Sequence, residues 1–198
     1  MNTDKHTENR GKGRSSRLQL ILVALIFVVP MVAASWMYFA DSAVRPASRT
    51  NHGVLLDPIV NLPDELGTSP LIAAAENRWT LIYLQSGDCE QACRDALYKQ
   101  RQVRLMLGND MSRVLRILLH GPSAPDTLFL SQEHAGLLAL QDSAARQLLL
   151  DVHPRGSSAD GFYLTDPLGN LVMYFPLDIK PRDLVDDIEH LLKLSRIG

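Results

Sequence analysis

The only two cysteines in the 198-residue chain, Cys89 and Cys93, stand in "LQSGDCEQACRDAL", where an apolar run stops and a helix-like pattern begins. A strand feeding a loop that opens a helix places Cys89 at or near the helix N-terminus. Unpaired N–H groups and the positive end of the helix dipole favour thiolate over thiol there. Cys93, one helical turn later, shares that face and lies within reach. Such a pair can close a disulfide, exchange it, or hold a soft metal ion such as Cu(I) or zinc. A purely structural bridge is the plainer reading, but its loop is so short that it constrains the unfolded chain little. The placement therefore points to redox or metal chemistry.

The elements around the pair follow from hydrophobic patterning. "WTLIYLQ" (79–85) reads as a strand buried on both faces, and 89–107 as an amphipathic helix without Gly or Pro. "RVLRILLH" (113–120) reads as a second strand. A helical or irregular segment near 127–133, a short strand at 136–141 and a helical "SAARQLLL" follow. "FYLTD" (162–166) and "NLVMYF" (170–175) form a hairpin around "PLG". A terminal helix spans 180–197, with Pro181 near its start. Alternating strands and helices followed by an antiparallel pair predict an α/β domain, a mixed sheet with helices on both faces.

Ahead of the domain lies "LQLILVALIFVVPMVAASWMYFA", Leu18 to Ala40, which holds no charged residue. About 20 apolar residues at 1.5 Å rise span the ~30 Å hydrocarbon core. Backbone pairing in lipid requires a helix, with a possible bend at Pro30. Small residues near its end leave room for a cleaved signal peptide, but the run exceeds a signal h-region and reads as an uncleaved anchor. Lys5, Arg10, Lys12, Arg14 and Arg17 precede it, against Asp4 and Glu8. That bias predicts a cytoplasmic N-terminus and an exported, periplasmic remainder in a single-pass inner-membrane protein. The expected organisation is a tail at 1–17, an anchor at 18–40, a tether at 41–53 and the exported domain at 54–198. The mildly acidic domain lacks the basic cluster that nucleic acid requires. No P-loop, dinucleotide fingerprint or H-E-x-x-H is present.

Two thiolates leave most metals under-coordinated, so a histidine is sought as third ligand. His52 falls in the tether, His134 in a loop, and His190 on the polar face of the last helix, where Asp186 and Asp187 also read as solvated. His120 ends the second strand and could approach the cysteine loop, because strand ends cluster on one side of an α/β sheet. His153 sits in the loop before the hairpin.

Across most of residues 78–195 the chain resembles the Sco/SenC family of copper-handling assembly proteins. The resemblance rests on the C-x-x-x-C after the first core strand, on "ILLHGPSAPDT" with Asp126 and Thr127, on "HAGLLAL", and on "FYLTDPLGNLVMYF" with Asp166, Pro167 and Gly169 in its turn. The chain departs from the family at Glu90 and Arg94, which follow the cysteines where the family has proline, and near Gly121. Ser158 occupies the family's histidine slot before Tyr163, and His153 lies further upstream.

The resemblance implies a thioredoxin-like fold and a membrane-anchored factor for cytochrome c oxidase assembly. Cys89 and Cys93 would hold Cu(I), with His153 as third ligand, or would reduce the thiols of a partner's copper site, Cys89 attacking and Cys93 resolving. The implied partner is an oxidase subunit or another copper or thiol assembly protein. The rivals are a general exported thiol–disulfide oxidoreductase and a non-catalytic assembly scaffold; C-x-x-x-C is not the usual oxidoreductase spacing.

Overall fold

The computed structural model describes residues 12–39, 51–75, 77–123 and 125–195. The start of the basic tail, most of the tether and the last three residues lie outside these. The chain divides into two compact units, residues 1–49 and 50–198.

The first unit holds helix α1 (Lys12–Phe39), which continues through Pro30. Its stretch Leu18–Trp36 is long and apolar enough to cross a membrane.

The second unit contains β1 (Val54–Asn61), α2 (Leu62–Leu66), α3 (Pro70–Ala75), β2 (Trp79–Leu84), α4 (Gln91–Met106), a 3₁₀ turn (Gly108–Arg113), β3 (Val114–Leu119), α5 (Thr127–Glu133), β4 (Leu137–Leu140), α6 (Ser143–Val152), β5 (Gly161–Thr165), β6 (Asn170–Pro176) and α7 (Pro181–Leu194). The strands form one mixed sheet in the order β1-β6-β5-β2-β3-β4. β2 is parallel to β3, and β3 to β4, while β2 runs antiparallel to β5, β5 to β6 and β6 to β1.

Two apolar layers sandwich this sheet, and the period-2 alternation of β2 sorts its side chains between them. Trp79, Leu81 and Tyr83 face α4 and α7 with Leu97, Val103, Leu184 and Ile188. Ile82 and Leu84 face the other way, with Ala145 and Leu149 of α6 and Leu62 and Leu71 of the α2–α3 segment. Every residue of β2 and β3 is buried, as their predominantly apolar runs require, with Thr80 in β2 and Arg116 in β3 the polar exceptions. A register shift between β5 and β6 lets Leu171 join one layer and Met173 the other.

Three features depart from the sequence reading. β1 was not anticipated, because Asp57 and Pro58 interrupt its apolar run and its pairing is irregular between Leu55 and Val60. Asp187 is not solvated: it is 6% exposed. Its carboxylate accepts N–H bonds from His52 and Gly53 at 2.8–3.1 Å, so these last tether residues are docked onto α7. His134 is likewise buried rather than a surface loop residue. Asp187→Ala should leave the buried Gly53 N–H and the part-buried His52 N–H short of a partner and cost about 1–3 kcal/mol. A urea titration checks this, and an unchanged midpoint would show that the docking contributes nothing.

Candidate functional site

The site lies at the C-terminal end of β2. Gln85 continues the strand, donating its N–H to the Leu119 carbonyl at 3.1 Å. Its side-chain amide donates to Gly87 O at 2.7 Å and so folds the cysteine loop back on itself. Arg146 of α6 donates to the carbonyl oxygens of Gln85 and Leu119, tying the ends of β2 and β3 together. The Ser86 N–H donates to the Asp160 carboxylate at 2.9 Å, which fastens the loop preceding β5 to the cysteine loop. Neither Arg146 nor Asp160 was singled out from sequence. One sits in an amphipathic helix and the other in a polar loop, and neither pattern signals a contact across the sheet.

Cys89 immediately precedes Glu90, the N-cap of α4, and is bonded to Cys93, with 5.0 Å between the Cα atoms. Glu90 makes no side-chain cap, so the first N–H groups of α4 keep the partial positive charge that favours a thiolate at this end. Asp88 and Glu90 flank Cys89 and oppose that effect. The two sulfurs differ in access: Cys93 is 3% exposed and packed in the α4–α7 layer, whereas Cys89 is half-buried at its margin. Phe129 of α5 packs against the same layer beneath the Arg94 guanidinium, whose carbon is 4.8 Å from the ring centroid.

The structure does not bring His153 to the cysteines. It caps the C-terminus of α6, whose apolar side packs on the sheet face opposite α4, and its Nδ1 donates to the Leu150 carbonyl. There it borders a groove with β1 residues Val54 to Val60. No group of three or more His, Cys, Asp or Glu side chains that could hold a metal occurs among the described residues.

His120 is placed differently. Alternation along β3 puts it on the α4 face with Val114 and Leu118. Gln100 of α4 donates to the carbonyl oxygens of Leu81 and Ile117 at 2.7 and 3.2 Å, which sets the level of the helix over the strands. Seven residues back along α4 is about 10 Å, and three residues on along β3 is also about 10 Å. Cys93 and His120 therefore stand at one level on one face. The His120 Nδ1–H donates to Gly121 O at 2.7 Å, leaving Nε2 as a free lone pair.

A family model described as "Transmembrane-like, thioredoxin-like, C-terminal domain" matches residues 79–195, which is more than half of the chain. The chain belongs to this family. A companion model, "Transmembrane-like, N-terminal domain", matches residues 9–41, so among the described residues one helix long and apolar enough to cross a membrane precedes a thioredoxin-like domain. No curated protein matches the sequence. Among solved structures, the chain is similar to apo Sco1 from Thermus thermophilus, at 16% identity and a TM-score of 0.53, over 74% of this chain and 99% of that one. Copper-bound Sco1 from yeast is 20% identical with a TM-score of 0.49, over 61% and 82%. Copper-bound ScoI from Bradyrhizobium japonicum is 20% identical with a TM-score of 0.43, over 60% and 87%. The Thermus likeness establishes the thioredoxin-like fold expected from the sequence resemblance.

Proposed function

We propose that this protein is a single-pass membrane-anchored thiol–disulfide factor of Sco type, with its domain on the exported, periplasmic side, serving cytochrome c oxidase assembly. The observation that carries this reading is the Cys89–Cys93 bridge across one helical turn, with one sulfur accessible and the other buried. In the reduced protein the Cys89 thiolate attacks a partner's disulfide. The partner's leaving thiolate takes a proton, and a mixed disulfide forms. Cys93 then attacks Cys89, releasing the second partner thiolate and restoring the bridge, so two electrons pass to the partner. A partner subunit whose copper-site cysteines are oxidised fits this chemistry.

A second reading, carriage of Cu(I) as cargo, is favoured by His120, which strand alternation puts on the same sheet face as Cys93, whereas α6 and its cap His153 pack on the opposite face. Native mass spectrometry of the reduced chain with stoichiometric Cu(I) tests it. Copper retention weakened by His120→Ala and not by His153→Ala supports carriage; no retained copper rejects it.

The principal reading is tested in cells by the copper content of the oxidase. Cys89→Ser and Cys93→Ser should each lower it, with normal levels of the membrane-anchored protein. Full copper content in both variants would leave a scaffold role instead.

A further inference from the structure

Behind the cysteine helix lies a set of buried nitrogen atoms, on two arginines and a histidine, that the thiol chemistry does not use. Arg116, in the middle of β3, is 2% exposed. One of its terminal nitrogens, Nη2, donates to Ala135 O at 2.8 Å, while its Nε and Nη1 are buried without a partner. Arg101 of α4 donates through Nη1 to Glu133 O, and its Nε is also buried without a partner. His134, at the C-terminus of α5, is 2% exposed, and its Nδ1 is a fourth buried nitrogen without a partner. Arg104 stands beside them, its Nε donating to Val114 O at 3.2 Å.

No carboxylate among the described residues pairs with any of the three arginines. Glu133, next to His134 in the chain, is exposed and offers the cluster its backbone carbonyl. A buried guanidinium without a counter-charge is costly, and breaking or omitting its pair leaves the full desolvation penalty. Burial and the neighbouring Arg104 and Arg101 lower the Arg116 pKa only to about 10, so the charge persists at neutral pH. Burial, together with Arg101 and Arg116, holds His134 below the usual imidazole range, so it stays neutral and can present Nδ1–H as a donor. Water could meet these hydrogen bonds but would not offset the charge.

We propose that a small inorganic anion of halide size binds among Arg101, Arg116 and His134, beneath the turn between α5 and β4. The four unpartnered nitrogens are shut off from solvent, which excludes a guest as large as a phosphate ester. The site also bears on the cysteine helix. The His134 ring meets Phe129 edge-on, with centroids 4.9 Å apart, and Phe129 lies under Arg94, the neighbour of Cys93. An anion here would fix α5 against α4.

The test is the thermal midpoint of the full chain in detergent, in sodium chloride and in sodium gluconate at equal ionic strength. Chloride at a hundred times its dissociation constant should raise the folded-to-unfolded ratio about a hundred-fold and the midpoint by several degrees. Arg116→Met should lose that increment. Arg182→Met, at an exposed ion pair with Asp186 on α7, should keep it. Equal midpoints in the two salts, or an increment that survives Arg116→Met, would overturn the proposal. Should Arg116→Met fail to fold, chlorine-35 NMR of the unaltered protein decides. Excess line broadening competed away by bromide supports the site, and its absence contradicts it.

Discussion

Cys93→Ser is expected to convert the protein into a trap. With Cys93 removed, the Cys89 thiolate still attacks a partner's disulfide, but nothing resolves the product. The mixed disulfide should accumulate as a covalent adduct on non-reducing gels. Cys89→Ser should give no adduct, because the remaining thiol is 3% exposed and packed in the α4–α7 layer. The asymmetry follows from access and from the position of Cys89 at the helix N-terminus, since attack requires an accessible thiolate. An adduct of equal yield in both variants would refute the assigned order. No adduct in either would remove exchange as the chemistry.

The second large effect is expected at alkaline pH. Tyr83, Tyr163 and Tyr174 are buried, and burial is the leading cause that raises each phenol pKa above its ordinary value. Asp160 adds to the shift in all three, Tyr174 to that of Tyr163, and Asp178 to that of Tyr174. Two of the hydroxyls also donate hydrogen bonds that a phenolate cannot: Tyr163 to Leu149 O at 3.1 Å and Tyr174 to Ser158 O at 2.8 Å. With folded values above the unfolded value of about 10, the unfolded chain releases its protons first. Stability is therefore intact below about pH 10 and falls as pH rises toward the folded values. Each such group removes up to about 1.4 kcal/mol per pH unit while it is ionised in the unfolded chain and protonated in the folded one. Urea midpoints measured between about pH 8 and 11 check this, and Tyr174→Phe should lessen the slope. A flat midpoint over the range would contradict it. The tyrosines matter to the site because the Tyr174 hydroxyl, bonded to Ser158 O, holds the loop whose Asp160 grips the Ser86 N–H.

The central sheet was legible because β2 and β3 are predominantly apolar runs of strand length, and the hairpin because its turn residues interrupt two such runs. The start of α4 was legible from the break at "SGD", which put Cys89 one residue before the observed N-cap. What escaped depends on contacts between distant segments. The role of Asp187 is set by the backbone of His52 and Gly53, far away in sequence, and no local pattern marks it. The same holds for Asp160 and Arg146. Local order also could not assign the histidines to faces of the sheet. His153 lies near the hairpin in sequence, but the crossover from β4 to β5 carries α6 onto the opposite side. His120 is placed by strand alternation, which becomes usable once the register of β3 is known.

The claim that the Cys89–Cys93 bridge is an exchanging disulfide is tested most directly by its reduction potential, measured on the full chain against a glutathione buffer. Disulfides that serve only structure sit below about −300 mV, and exchanging ones lie higher. The account predicts a value above that limit, with rapid equilibration through the accessible sulfur of Cys89. A value well below it, with slow exchange, would mark the bridge as a structural staple and contradict the proposed chemistry.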